Sequence, residues 1–125
     1  MTTIATDVKA LATRYIEAAG NKDYDGLGEI VTPDVAFRGP FTTVATYDAF
    51  VAALRRMSPI WERNDVRGVF VSGERACVIY DFATNTGAGA LPCVELLSIR
   101  EGRIASSELF FDQTQFASAA APRNG

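Results

Sequence analysis

The sequence predicts an α+β domain in which helices pack on one face of a curved sheet. Three observations carry this. Apolar residues recur every three or four positions through roughly the first 60 residues, β-branched and aromatic residues fill the second half, and short glycine-bearing turns divide that half into segments. The helical part opens with Val8, Leu11, Ala12, Tyr15, Ile16 and Ala19 on one stripe. Thr3 or Thr6 is the expected cap, and Gly20-Asn21 the expected left-handed stop. Asp23 caps a short second helix with Leu27, Ile30 and Val31 inward, although Gly26 and Gly28 weaken its helix propensity. Thr32-Pro33-Asp34 reads as a turn, Val35–Arg38 as a short strand, and Gly39-Pro40 as its end. A third helix opens at Thr46 or Asp48, carries Phe50, Val51, Leu54 and Met57, and stops at Ser58-Pro59.

Strands follow. Trp61 to Ser72, Arg75 to Asn85, Leu91 to Arg100 and Arg103 to Gln113 form an antiparallel meander, with turns at Gly73-Glu74, around Ala88, and at Glu101-Gly102. Gly87 and Gly89 are turn residues and not a phosphate loop, because no helix follows them. Arg55-Arg56 reads as a solvated helix face. The 125 residues fit a single domain, 1–125, with 118–125 as a flexible tail.

Composition excludes several function classes. The net charge of −3 leaves no basic stripe for nucleic acid. No apolar run reaches the ~18 residues of a membrane helix, and the N-terminus lacks the pattern of a signal peptide, so the expected location is cytoplasmic. The histidine count is zero, which rules out Ser-His-Asp and Cys-His catalysis and histidine-based metal sites. Acid–base chemistry therefore falls to carboxylates and tyrosines.

Strand parity then selects candidates. In Arg75–Asn85, one face carries Cys77, Ile79, Asp81 and Ala83, and the other Val78, Tyr80 and Phe82. Neither face is polar as a whole, so both are expected to be covered, one by the helices and one by a partner subunit. Pairing symmetric about Ala88 would place Asp81 opposite Glu95, on the same face as Cys77 and Cys93. Two carboxyls about 5 Å apart in an apolar setting cannot both ionise cheaply, so such a dyad would offer a donor beside an acceptor. The two cysteines would lie roughly 20 Å apart, too far for a disulfide. Tyr15, on the apolar stripe, would aim its phenol between helix and sheet.

The segment ATRYIEAAGNKDYDGLGEIVTPDVAFRGP and the closing SIREGRIASSELFFDQTQF resemble the nuclear transport factor 2-like superfamily over about residues 4–116. That superfamily includes ketosteroid isomerases, SnoaL-type polyketide cyclases and limonene-epoxide hydrolases. The resemblance implies a cone: three N-terminal helices on a strongly curved, mixed but mostly antiparallel sheet that encloses a pocket. Tyr15 matches the ketosteroid isomerase tyrosine, and Glu95 falls at the strand acid, where that family has Asp. The position of the family's base reads Arg38-Gly39-Pro40, which leaves Asp81 as its candidate replacement. Asp81 could also match one acid of the limonene-epoxide hydrolase set, but Ile79 stands at the expected arginine.

Asp81, Glu95 and Tyr15 are thus the expected catalytic residues. Phe37, Phe50, Leu54, Met57, Trp61, Ile79, Leu97, Leu109 and Phe111 are the expected ligand pocket. The expected function is a cofactor-free, metal-free isomerase, lyase or hydrolase acting on an apolar carbonyl or epoxide compound. The alternatives are a non-catalytic binder of an apolar ligand and a dimeric accessory domain. A homodimer is expected through an outer sheet face made of Val78, Tyr80, Phe82, Val94, Leu96 and Phe110.

Overall fold

The computed structural model describes residues 7–120. In chain order these form α1 (Val8–Gly20), α2 (Tyr24–Ile30), β1 (Val31–Arg38), β2 (Thr43–Val44), α3 (Tyr47–Met57), β3 (Trp61–Ser72), β4 (Arg75–Thr84), β5 (Ala90–Arg100), β6 (Arg103–Phe111) and α4 (Gln113–Ala120). The strands make one sheet in the order β2-β1-β6-β5-β4-β3. All pairings are antiparallel except β1 with β6, which is parallel. The sheet curves around α1, which packs chiefly on β3 and β4, while α3 leans on β1. The result is the α+β cone.

Caps set the helix starts. Asp7 caps α1 by accepting from the Ala10 N–H at 3.0 Å. Thr3 and Thr6 lie outside the described residues. Asp23 caps α2 as the sequence predicts, and of the two residues expected to open α3, Thr46 is the cap while Asp48 lies in the first turn. The left-handed residue after α1 is Lys22 (φ 59°), not Gly20 or Asn21. Gly20 has a different duty: a Cβ there would sit 2.5 Å from the Asn64 backbone nitrogen. Its bare backbone lets α1 lie directly against β3. The Asn64 side chain completes that contact by donating to the Ile16 carbonyl at 2.9 Å and accepting from the Trp61 indole N–H at 3.0 Å.

Several boundaries differ from expectation. Thr32-Pro33-Asp34 is not a turn but part of β1, where pairing with β6 is interrupted between Val31 and Ala36. Pro33 has no N–H to give the ladder, so the strand carries an irregularity instead of ending. Gly39-Pro40 leads into a small hairpin with β2. After β6, Asp112 accepts from the N–H groups of Thr114 and Gln115 and starts α4. That helix runs to Ala120, three residues into the segment read as a tail; 121–125 lie outside the described residues.

The decisive difference is register. Glu95 pairs with Val78, and Asp81 pairs with Pro92. Thr84 donates from both its N–H and its hydroxyl to the Gly89 carbonyl, at 3.0 and 2.6 Å. This closes a loop whose centre falls between Thr86 and Gly87, upstream of Ala88. The offset reverses parity along the hairpin. Val78, Tyr80 and Phe82 therefore face inward with Cys93 and Glu95, while Cys77, Ile79 and Asp81 face outward with Val94 and Leu96. The expected dimer face accordingly loses Val78, Tyr80 and Phe82 and keeps Val94, Leu96 and Phe110. Both cysteines are unpaired thiols, on opposite faces.

Gly20→Ala tests the closeness of α1 to β3. The added methyl meets backbone rather than a flexible side chain, so a loss of about 1–3 kcal/mol is expected, read as a lower urea midpoint. An unchanged midpoint would contradict this contact.

Candidate functional site

The inner face of the sheet, α1 and α3 enclose a cavity of about 320 Å³. Its walls are apolar and largely aromatic. Phe37 from β1, Phe50, Leu54 and Met57 from α3, and Trp61 from β3 all line it. So do Leu109 and Phe111 from β6, together with Phe82 and Leu91, which sequence reasoning did not place there. Two expected residues lie elsewhere. Ile79 is on the outer face because of the parity reversal, and Leu97 points inward but is fully buried in the packed core.

The polar groups gather around Glu95. Its side chain lines the cavity although the residue is only 4% exposed. Tyr80, one strand away on β4, donates from its hydroxyl to Glu95 Oε1 at 2.8 Å. Ser107, from β6 on the other side, donates to Oε2. The Tyr15 phenol, held parallel to the Phe50 ring at a centroid distance of 6.1 Å, reaches down from α1 into the same cavity, close enough to Glu95 for each to shift the other's titration. Tyr15 and Glu95, both singled out from the sequence, therefore meet. Tyr80 and Ser107 were missed. The signal for Tyr80 was its shared parity with Glu95 in the true register; nothing in the run IASSEL marks Ser107.

Asp81 does not join them. It lies on β4 opposite Asp65 of β3 and pairs with Arg67 at 3.5 Å on the outer face. Its expected role beside Glu95 is withdrawn, because side chains of opposite parity cannot share a cavity.

Burial sets the electrostatics. Desolvation pushes the Glu95 carboxyl above its ordinary value, against the opposing pull of hydrogen bonds from Ser107, Tyr80 and Tyr15. Burial, and next the nearby Glu95, raise both Tyr15 and Tyr80 well above 10.0, so the phenols stay protonated. The same two causes push the Cys93 thiol up to about 12, which leaves it inert as a nucleophile. Among the described residues, no group of three or more His, Cys, Asp or Glu side chains could hold a metal ion. No described helix is long and apolar enough to cross a membrane.

A family model described as a SnoaL-like domain matches residues 12–107. The chain belongs to the SnoaL-like family. It thereby falls in the nuclear transport factor 2-like superfamily. Solved structures agree on the fold. A protein from Kribbella flavida is 27% identical, with 92% of this chain and 94% of that chain covered and a TM-score of 0.81. An LEH-like epoxide hydrolase of M. tuberculosis is 16% identical, with 94% and 91% covered and a TM-score of 0.75. A Catenulispora acidiphila protein with a ketosteroid isomerase-like fold, solved with trimethylamine, is 15% identical, with 90% and 93% covered and a TM-score of 0.76. Among curated proteins none matches this SnoaL-like chain.

The raised Glu95 pKa has a definite consequence for stability. Between the ordinary carboxylate value of 4.5 and the higher folded-state value, the native chain binds more protons than the unfolded one. Stability therefore falls as pH rises through that window. Glu95→Gln keeps the shape and removes the titration. Its melting temperature should match or exceed the wild type at pH 8, and the wild-type slope above pH ~4.5 should flatten. A variant that melts much lower at pH 8 would mean that Glu95 is held as a carboxylate.

Proposed function

We propose that the cavity binds a small, largely apolar molecule bearing one carbonyl or epoxide oxygen. Tyr15 and Tyr80 donate hydrogen bonds to that oxygen, with Glu95, in its neutral form, donating to Tyr80 behind it, in a cofactor-independent isomerase, lyase or hydrolase reaction. One observation carries this reading: among the described residues Glu95 is the sole carboxyl on a largely apolar cavity wall, and hydroxyls gather around it. Fixed donors aimed at a point where negative charge develops lower a barrier most in such a dry setting. Trp61 and Asn64 are already engaged, since they bond to each other and Asn64 also bonds to Ile16. A ligand oxygen is thus directed to the Glu95 end. The volume is at the small end of the range of about 300–1,000 Å³ for ligand pockets, which favours a compact molecule.

A second reading is binding without turnover. It is favoured by the lack of a second carboxyl among the lining residues, with Asp81 outside and Arg38-Gly39-Pro40 at the position of the family's base. Trp61 is the single tryptophan, so its fluorescence reports occupancy. Acetophenone and styrene oxide should each quench it saturably, and Tyr15→Phe should weaken acetophenone about fivefold, the worth of one neutral hydrogen bond. Wild-type conversion of styrene oxide to its diol, abolished in Glu95→Gln, supports catalysis. Saturable quenching without product supports the binder. Absence of quenching by either compound sinks the pocket reading.

The outer sheet face is proposed to pair with a second copy of the chain. Phe70 and Phe110 are 61% and 48% exposed there, with Ile79, Val94 and Leu96 half-buried between them. An uncovered apolar sheet surface of this kind marks an interface. Light scattering at micromolar concentration should give about twice the chain mass of 13.5 kDa, and the chain mass itself would refute pairing.

A further inference from the structure

Ser107 stands behind the cavity wall yet touches the carboxyl within it. It is 3% exposed, it does not line the cavity, and its hydroxyl bonds to Glu95 Oε2. The polar groups facing Glu95 come from four elements. They are Tyr15 from α1, Tyr80 from β4, Ser107 from β6, and Cys93, two residues along β5 itself. No Lys or Arg forms an ion pair with Glu95 among the described residues.

A neutral carboxyl has one O–H donor and one acceptor oxygen, and its neighbours decide which is which. The Ser107 hydroxyl is buried behind the wall, out of reach of a ligand, and the acceptor it bonds to is Oε2, so its proton points there. Oε2 is then the acceptor, and the acid proton resides on Oε1, facing Tyr80. In the ionised form Tyr80 donates to Oε1. In the neutral form that bond reverses, and the Tyr80 O–H is released toward the cavity. Such a chain polarises each successive donor.

Resting on the functional reading above, we propose that Ser107 is a positioning residue: by donating to Oε2 it keeps the acid proton of Glu95 on Oε1, so that Tyr80 presents its O–H to a ligand oxygen. A side chain the ligand never touches would then set the donor strength felt by the ligand.

Two measurements on the full chain test this. Infrared spectroscopy of bound acetophenone, ¹³C-labelled at its carbonyl, should show the C=O stretch shifted to lower frequency in the wild type. Ser107→Ala should lose most of that shift, and Ser107→Thr, which keeps the hydroxyl, should retain it. In the unliganded protein, the ¹³C resonance of the Glu95 carboxyl, assigned by its absence in Glu95→Gln, should titrate at higher pH in Ser107→Ala and near the wild-type midpoint in Ser107→Thr. Should Ser107→Ala fail to fold, Ser107→Cys, with its weak donor, takes its place. If probe shift and midpoint are the same in Ser107→Ala as in the wild type, the proposal is overturned while the functional reading stands. If acetophenone does not bind the wild type, the functional reading falls together with the ligand half of the proposal, and the titration alone decides whether Ser107 holds the proton.

Discussion

A carboxyl group taken into an apolar interior must find polar partners there, and in this fold three elements converge on Glu95 to supply them. β5 carries the acid, the flanking strands β4 and β6 bring Tyr80 and Ser107 to its two oxygens, and α1 brings Tyr15 from above. None of these contacts is local in sequence. Each depends on the pairing register of the central strands and on α1 lying close against the concave face. The site is thus a direct readout of the tertiary fold, and a one-residue slip in either hairpin would scatter it.

The close approach of α1 has its own cause. Gly20 removes the side chain where helix and β3 would collide, and Asn64 satisfies a carbonyl of α1 while holding the Trp61 indole. These contacts fix one wall of the cavity. The opposite wall rests on α3, whose Phe50 ring lies between Tyr15 and Phe37. The stacked Phe50 ring, itself backed by Phe37, holds the Tyr15 phenol on the Glu95 side of the cavity.

Much of this was legible in the residues. The helical stripe containing Tyr15, the caps at Asp23 and Thr46, the Glu101-Gly102 turn and the bounds of β3 follow from periodicity and turn chemistry. Glu95 stood out because an acid among Val94, Leu96 and Leu97 is unusual. The partner assigned to it was wrong for a physical reason. Both faces of β4 are apolar, so hydrophobicity alone could not orient the strand, and a glycine-rich loop was free to close at either of two centres. The Thr84 bonds to Gly89 chose between them. Asp81 itself held the missing clue: a face bearing an acid with Arg67 in reach belongs outside. β2 and α4 were overlooked because one is too short for a pattern and the other is small and polar. The irregularity in β1 was read as a turn because Pro33 resembles a strand breaker.

The protonation state of Glu95 near neutrality is the hinge between structure and function. As a neutral acid it is a donor that completes an oxyanion-binding group; as a carboxylate it would repel the charge it is meant to stabilise. Infrared spectra of the unliganded protein at pH 7 separate the two directly, since a carboxylic acid C=O absorbs apart from carboxylates. A carboxylic acid band that is present at pH 7 and absent from Glu95→Gln is the predicted result. A wild-type spectrum at pH 7 with no such band would contradict the account.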